Sequence, residues 1–178
     1  MGKLALGVVG LVLMLGCSTS AERAKVASSP PAATQPRAIL CNVNEAHIEG
    51  PFQPFDTDVV VGPISWPQLR IWATADPSGY RMGGKENDFK IGAQLKAGAV
   101  VTVSIAPEAR AYAGLDYGQA SSYSPAPTVT FHSCVNSDTA FVGGFHVEGR
   151  HCVPFDVSAD GEPPVRIVVS FFDGPCPA

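Results

Sequence analysis

The chain has 178 residues, 46% of them hydrophobic and 16% charged, so it has the material for one packed core. A formal net charge of −4 with no Lys/Arg cluster lacks the basic face that phosphate binding needs, and no nucleic-acid partner is expected. Eighteen glycines and 16 prolines favour short strands joined by many turns over long helices.

Lys3 precedes an apolar run from Leu4 to Leu15 that ends on Gly16-Cys17. The run is too short for a bilayer-spanning helix, which takes about 20 residues. A charged start, an apolar middle and a small residue before the cut mark a secretory signal over residues 1–16. The stretch Leu13-Met14-Leu15-Gly16-Cys17 resembles the lipobox of bacterial lipoprotein precursors, with Met14 where that family usually carries Leu. The resemblance implies that the Cys17 thiol receives diacylglycerol and that the signal is removed before it. The mature chain would then be held by its N-terminal lipid at the cell membrane, on the extracytoplasmic face. Each buried CH₂ adds about 0.8 kcal/mol to such an anchor.

Residues 17–37 are rich in Ser, Thr, Ala and Pro and show no apolar periodicity. They read as a flexible linker of about 25 Å end to end, which lifts the domain off the membrane.

The domain, residues 38–178, opens with apolar residues at 38–43 and a Val-rich run at 58–63 that Gly62-Pro63 closes, two expected strands. Residues 65–73 are the one helix candidate. Ser65 and Gln68 have capping-box spacing, Pro67 suits a first turn, and Trp66, Leu69, Trp72 and Ala73 share a face. Phe89, Ile91, Ala93 and Leu95 alternate with polar residues, as do Val101, Val103 and Ile105. Lys96-Ala97-Gly98 between them suggests a hairpin. Residues 106–127 read as a long loop. Strands are expected at 128–134, 151–157 and 165–172. About seven strands, most with one apolar and one polar face, predict an all-β fold: an antiparallel β-sandwich with an immunoglobulin-like strand rhythm and one short helix. The likeness to immunoglobulin domains is one of rhythm only, because Trp66 and Trp72 both precede Cys134. By strand order and the Cys134/Cys152 frame the domain also resembles uncharacterised lipoproteins of high-GC bacteria, a resemblance that implies no activity.

Four of the five cysteines lie in the domain, and in an exported chain they are expected to form two disulfides. Of three possible pairings, Cys134–Cys152 closes a short loop and Cys41–Cys176 ties the domain ends. This is the expected set, built around two clipped strands with Gly143-Gly144-Phe145 in the loop between them.

Candidate sites are few. Tyr112, Tyr117 and Tyr123 in the long loop, and Phe145 in the clipped loop, are candidate binding aromatics for a cell-wall or protein partner. His132, His146 and His151, near the cysteines, suggest an alternative function as a copper or zinc lipoprotein. Asp56, Thr57 and Asp58, with Asn42, Asn44 and Glu45, offer oxygen ligands to calcium or, equally, local turn hydrogen bonds. No nucleophile elbow, zincin helix, Ser-x-x-Lys or phosphate loop is present, so neither an enzyme nor a cofactor is expected. Residue chemistry therefore points to a binding or structural module outside the cytoplasm.

Overall fold

The structure is a computed structural model that describes residues 36–41, 47–118 and 125–177. The lipobox, most of the linker, Asn42, Asn44, Glu45 and Tyr123 lie outside the described residues. The thirteen strands described are β1 (Arg37–Leu40), β2 (His47–Glu49), β3 (Val59–Val61), β4 (Ile64–Trp66), β5 (Asp88–Lys90), β6 (Ala93–Leu95), β7 (Val100–Ile105), β8 (Ala113–Tyr117), β9 (Thr128–His132), β10 (Thr139–Phe141), β11 (Gly143–Val147), β12 (His151–Ala159) and β13 (Val165–Phe171). They form a first sheet in the order β1-β9-β7-β12-β13, a second in the order β2-β10-β6-β4-β3 and a third in the order β5-β11-β8. Every pairing is antiparallel except that of β1 with β9. The fold is an all-β sandwich.

Alternation places the core. Val101, Val103 and Ile105 of β7, Val129 and Phe131 of β9, and Val153, Phe155 and Val157 of β12 are buried on one face of the first sheet. The other face carries hydroxyl pairs across the strands, Thr102 with Thr130 at 2.9 Å and Ser104 with Thr128 at 3.0 Å. Opposite the apolar face lie Ile64 and Trp66 of β4, Ala93 and Leu95 of β6, and Phe141 of β10. Phe145 of β11 reaches across all three sheets. Its ring lies 6.2 Å from Trp66, 5.8 Å from Tyr117, 5.4 Å from Phe155 and 5.1 Å from Phe171.

Four expectations of local structure are corrected. The helix at 65–73 does not form. Ser65 and Trp66 belong to β4, Gln68 is left-handed at φ 59°, and only Leu69–Ala73 winds, as a 3-10 turn. Ser65 and Trp66 are drawn into β4 by pairing with Val60 and Val59 of β3, and the left-handed Gln68 breaks the backbone before Leu69, so no helix runs from 65. The apolar spacing read as a helix face nonetheless buries Trp66, Leu69 and Trp72. Among the described residues there is no α-helix.

The run 89–95 is two strands in two sheets, because the Ile91 N–H turns to the Gly143 carbonyl at 2.9 Å. The hairpin of 89–95 with 100–105 is absent. β6 pairs with β4 and β10, whereas β7 pairs with β9 and β12. Gly98, at φ 74°, carries the chain from one sheet to the other. Alternation cannot separate these outcomes, since both sheets have an inner face. Last, the loop at 106–127 contains β8, and the stretch between Cys134 and Cys152 contains β10 and β11.

The disulfides are Cys41–Cys134 and Cys152–Cys176, with Cα atoms 5.0 and 5.7 Å apart. The expected pairing is overturned by register. Val100 pairs with His132 and Ile105 with Phe155, so Cys134 lies beyond one end of β7 and Cys152 beyond the other. A six-residue strand spans roughly 20 Å, and a disulfide tolerates no more than about 7 Å between Cα atoms. Parallel pairing of Leu40 with His132 instead carries Cys41 to Cys134. Phe172 and Gly174, both with positive φ, turn the C-terminal residues back towards Cys152.

Peptide mapping of the unreduced protein is expected to recover these two links. Removing Cys41–Cys134, whose partners are 93 residues apart, is expected to cost about 4–5 kcal/mol in the chain-entropy account. Removing Cys152–Cys176, 24 residues apart, is expected to cost about 3–4 kcal/mol, read by denaturant unfolding of the two double-alanine variants. A separate expectation concerns β11. A Cβ on Gly144 would collide with the Phe89 carbonyl oxygen, so Gly144→Ala should cost more than about 3 kcal/mol. Gly50→Ala, which meets nothing within 4 Å, should stay within about 0.5 kcal/mol by the same measurement.

Candidate functional site

Among the described residues, the candidate binding aromatics do not form a surface. Tyr117 is buried at 1% exposure and packs edge-on against Phe131 at 5.1 Å. Burial pushes its hydroxyl pKa well above the usual range. Phe145 is the centre of the core, because period-two alternation along β11 points it inward. Tyr112 is half-buried and stacks on His151 at 4.2 Å. Tyr123 lies outside the described residues.

The three histidines do not make one site either. His132 sits in the first sheet between Leu40 and Val100 in register. His146 is on β11 in the third sheet, and His151 opens β12. Among the described residues, no three His, Cys, Asp or Glu side chains form a group that could hold a metal ion. Joint coordination by His132, His146 and His151 is therefore not supported, and all four domain cysteines are held in disulfides.

His146 does have a defined role. Its Nδ1 lies 2.6 Å from Asp88 Oδ1, and its Nε2 lies 3.8 Å from Glu148 Oε1. Lys85 Nζ reaches the other Asp88 oxygen at 3.1 Å. β8, β11 and β5 place Asp116, His146 and Asp88 on one face of the third sheet, since Asp116 is opposite Gly144 and Asp88 opposite His146. Asp88 is buried and satisfied by two partners, His146 and Lys85. Asp116 has none so close: burial, and then the negative charge of Asp88, raise its pKa against the opposing pull of Lys85, Arg37 and His146.

A second site was not legible as a motif. Two adjoining concavities of about 390 and 550 Å³ flank the turn at 54–58. The first is lined by Pro54, Phe55, Asp56, Asp58, Val60 and Arg70. The second adds Thr57, Pro67 and Gln68. Phe55 stands between them, 73% exposed. The turn is rigid for a stated reason. Asp58 is buried, and its carboxylate accepts the Phe55 N–H at 3.0 Å and the Gln68 N–H at 2.8 Å. The Asp58 N–H returns to the Phe55 carbonyl at 2.9 Å. Arg70 donates Nε to the Asp58 carbonyl at 2.6 Å, which orients its guanidinium. Of the two readings of the acidic triplet, local turn bonding is the one seen at Asp58. The signal that would have found Phe55 is a large aromatic in the Pro-bounded run 51–58, where no strand period demands one.

Compared with protein families, with curated proteins and with solved structures, the chain matches none.

The raised pKa of Asp116 has a definite sign. A carboxyl that binds its proton more tightly when folded adds stability below its unfolded pKa of about 3.9 and loses it as pH rises through the folded value. Asp116→Asn is therefore expected to raise the melting temperature at pH 7, with the gain shrinking towards pH 3.5, in thermal scans at stepped pH. A gain independent of pH would rule out this cause.

Proposed function

We propose that this chain is a lipid-anchored extracytoplasmic module that acts by binding, or as a structural element, at a bacterial cell surface, and not by catalysis. Cysteine usage carries the proposal. Four of the five cysteines are consumed in two disulfides, which form and persist in oxidising compartments. The fifth, Cys17, directly follows the apolar run 4–15 and Gly16, where lipoprotein processing acts. The exposed Phe55, on a turn whose backbone Asp58 pins, supports binding as the activity, because a pre-ordered turn loses little backbone freedom on contact. A cell-wall polymer or a surface protein is the partner this position offers, while the membrane is contacted through the lipid.

The wild-type chain, expressed in a bacterial host, is expected to incorporate labelled palmitate and to partition into detergent. Cys17→Ser should lose both and accumulate as uncut precursor. A wild-type chain that stays unlabelled and water-soluble would overturn the anchored reading.

A further inference from the structure

We infer that the cleft around Phe55 is a saccharide-binding site. This deepens the binding role proposed above by naming its ligand class, and the contact itself does not require the lipid. A sugar ring presents a flat C–H face and a rim of neighbouring hydroxyls, each both donor and acceptor. Its complement is an exposed ring plate bordered by planar side chains that carry two parallel hydrogen-bonding atoms. The cleft supplies these parts. Phe55 is the plate. Arg70 lines the concavity on one side, Gln68 that on the other, and Asp56 lines both. Among the described residues, neither Asp56 nor Arg70 makes an ion pair, and the Gln68 side chain makes no hydrogen bond. Arg70 is tied down through Nε alone, so its two Nη groups remain available in a fixed orientation.

Two further observations favour a ligand here. Among the described residues, Gln68 is one of three non-glycine residues with positive φ, a strained conformation that clusters at functional positions. Asp58 holds the Gln68 backbone there, at the rim of the second concavity. Each concavity also falls within the range of about 300–1,000 Å³ typical of small-ligand sites, yet both are open to solvent. Open hollows on both sides of one ring suit a chain of sugars passing over it better than a small molecule that must be enclosed.

The test uses the purified full chain in detergent micelles and follows backbone amides by NMR. The probes are four tetrasaccharides, of β-1,4-glucose, β-1,4-N-acetylglucosamine, β-1,4-mannose and α-1,4-galacturonate, each to about 10 mM, because an open site of this kind binds weakly. At least one is expected to shift the amides of residues 55–58 and 68–70. Phe55→Ala should weaken that binding by about tenfold or more without lowering the melting temperature, since its side chain is exposed, and Arg70→Gln should weaken it similarly with a small drop in melting temperature from the lost Nε bond to the Asp58 carbonyl. Gln68→Gly should weaken binding while stability is kept or raised, which a merely structural glutamine would not do. If no tetrasaccharide moves those amides, or if Phe55→Ala binds as wild type does, the saccharide site is refuted. Cys17→Ser leaves this experiment unaffected, so failure here and failure of lipid attachment are separate results.

Discussion

The packing of Phe145 is the contact on which the rest of this fold depends. It stands on the central strand of the third sheet, yet its ring touches aromatic residues of all three sheets. That reach requires β11 to lie close against its neighbours. Gly143 and Gly144 allow it, because a Cβ at the first would meet the Tyr117 ring and backbone, and one at the second the Phe89 carbonyl. Rings at 5–6 Å add about 0.5–1.5 kcal/mol per pair beyond the area they bury, and the cluster continues through Trp72 to Phe172, stacked at 5.4 Å. Two adjacent glycines, which look like turn residues in a sequence, here serve a strand interior where another backbone approaches closely.

The disulfides act on the periphery of that core. Cys41–Cys134 ties the short edge strand β1 to the chain just after β9. Cys152–Cys176 fastens the C-terminal residues to the start of β12. Neither bond crosses the aromatic cluster. The first secures a strand paired over only four residues and the second the residues that run on past β13, and such ends fray first.

Two buried carboxylates show how polar groups are kept in so apolar a domain. Asp58 accepts backbone N–H groups from two segments and joins the turn at 54–58 to the start of the 3-10 turn at Leu69–Ala73. Asp88 accepts His146 and Lys85 instead. A buried carboxylate without partners costs far more than a hydrogen bond returns, so each is satisfied by its surroundings. The consequences differ. Asp58 pins the turn that leaves Phe55 exposed, whereas Asp88 closes a polar network on the third sheet beside Asp116, whose pKa is raised first by burial and then by the Asp88 charge.

The sequence by itself determined the class of fold and most of the core. Period-two alternation at Val101, Val103 and Ile105, and at Val153, Phe155 and Val157, states which face of each strand is buried, and those residues are buried. The same signal identified the β-sandwich, and the cysteine count anticipated two disulfides. Only the tertiary structure decided which strands pair and which cysteines meet. Alternation tells a strand to hide one face but names no neighbour, so β6 and β7 could join different sheets and Cys134 could sit a full strand length from Cys152. The candidate site was legible least of all. Tyr117 and Phe145 are aromatic in the sequence whether they line a surface or fill a core, and Phe55 differs from them in standing on a turn that leaves it exposed. Exposure is a property of the whole packed chain, and no local stretch of residues encodes it.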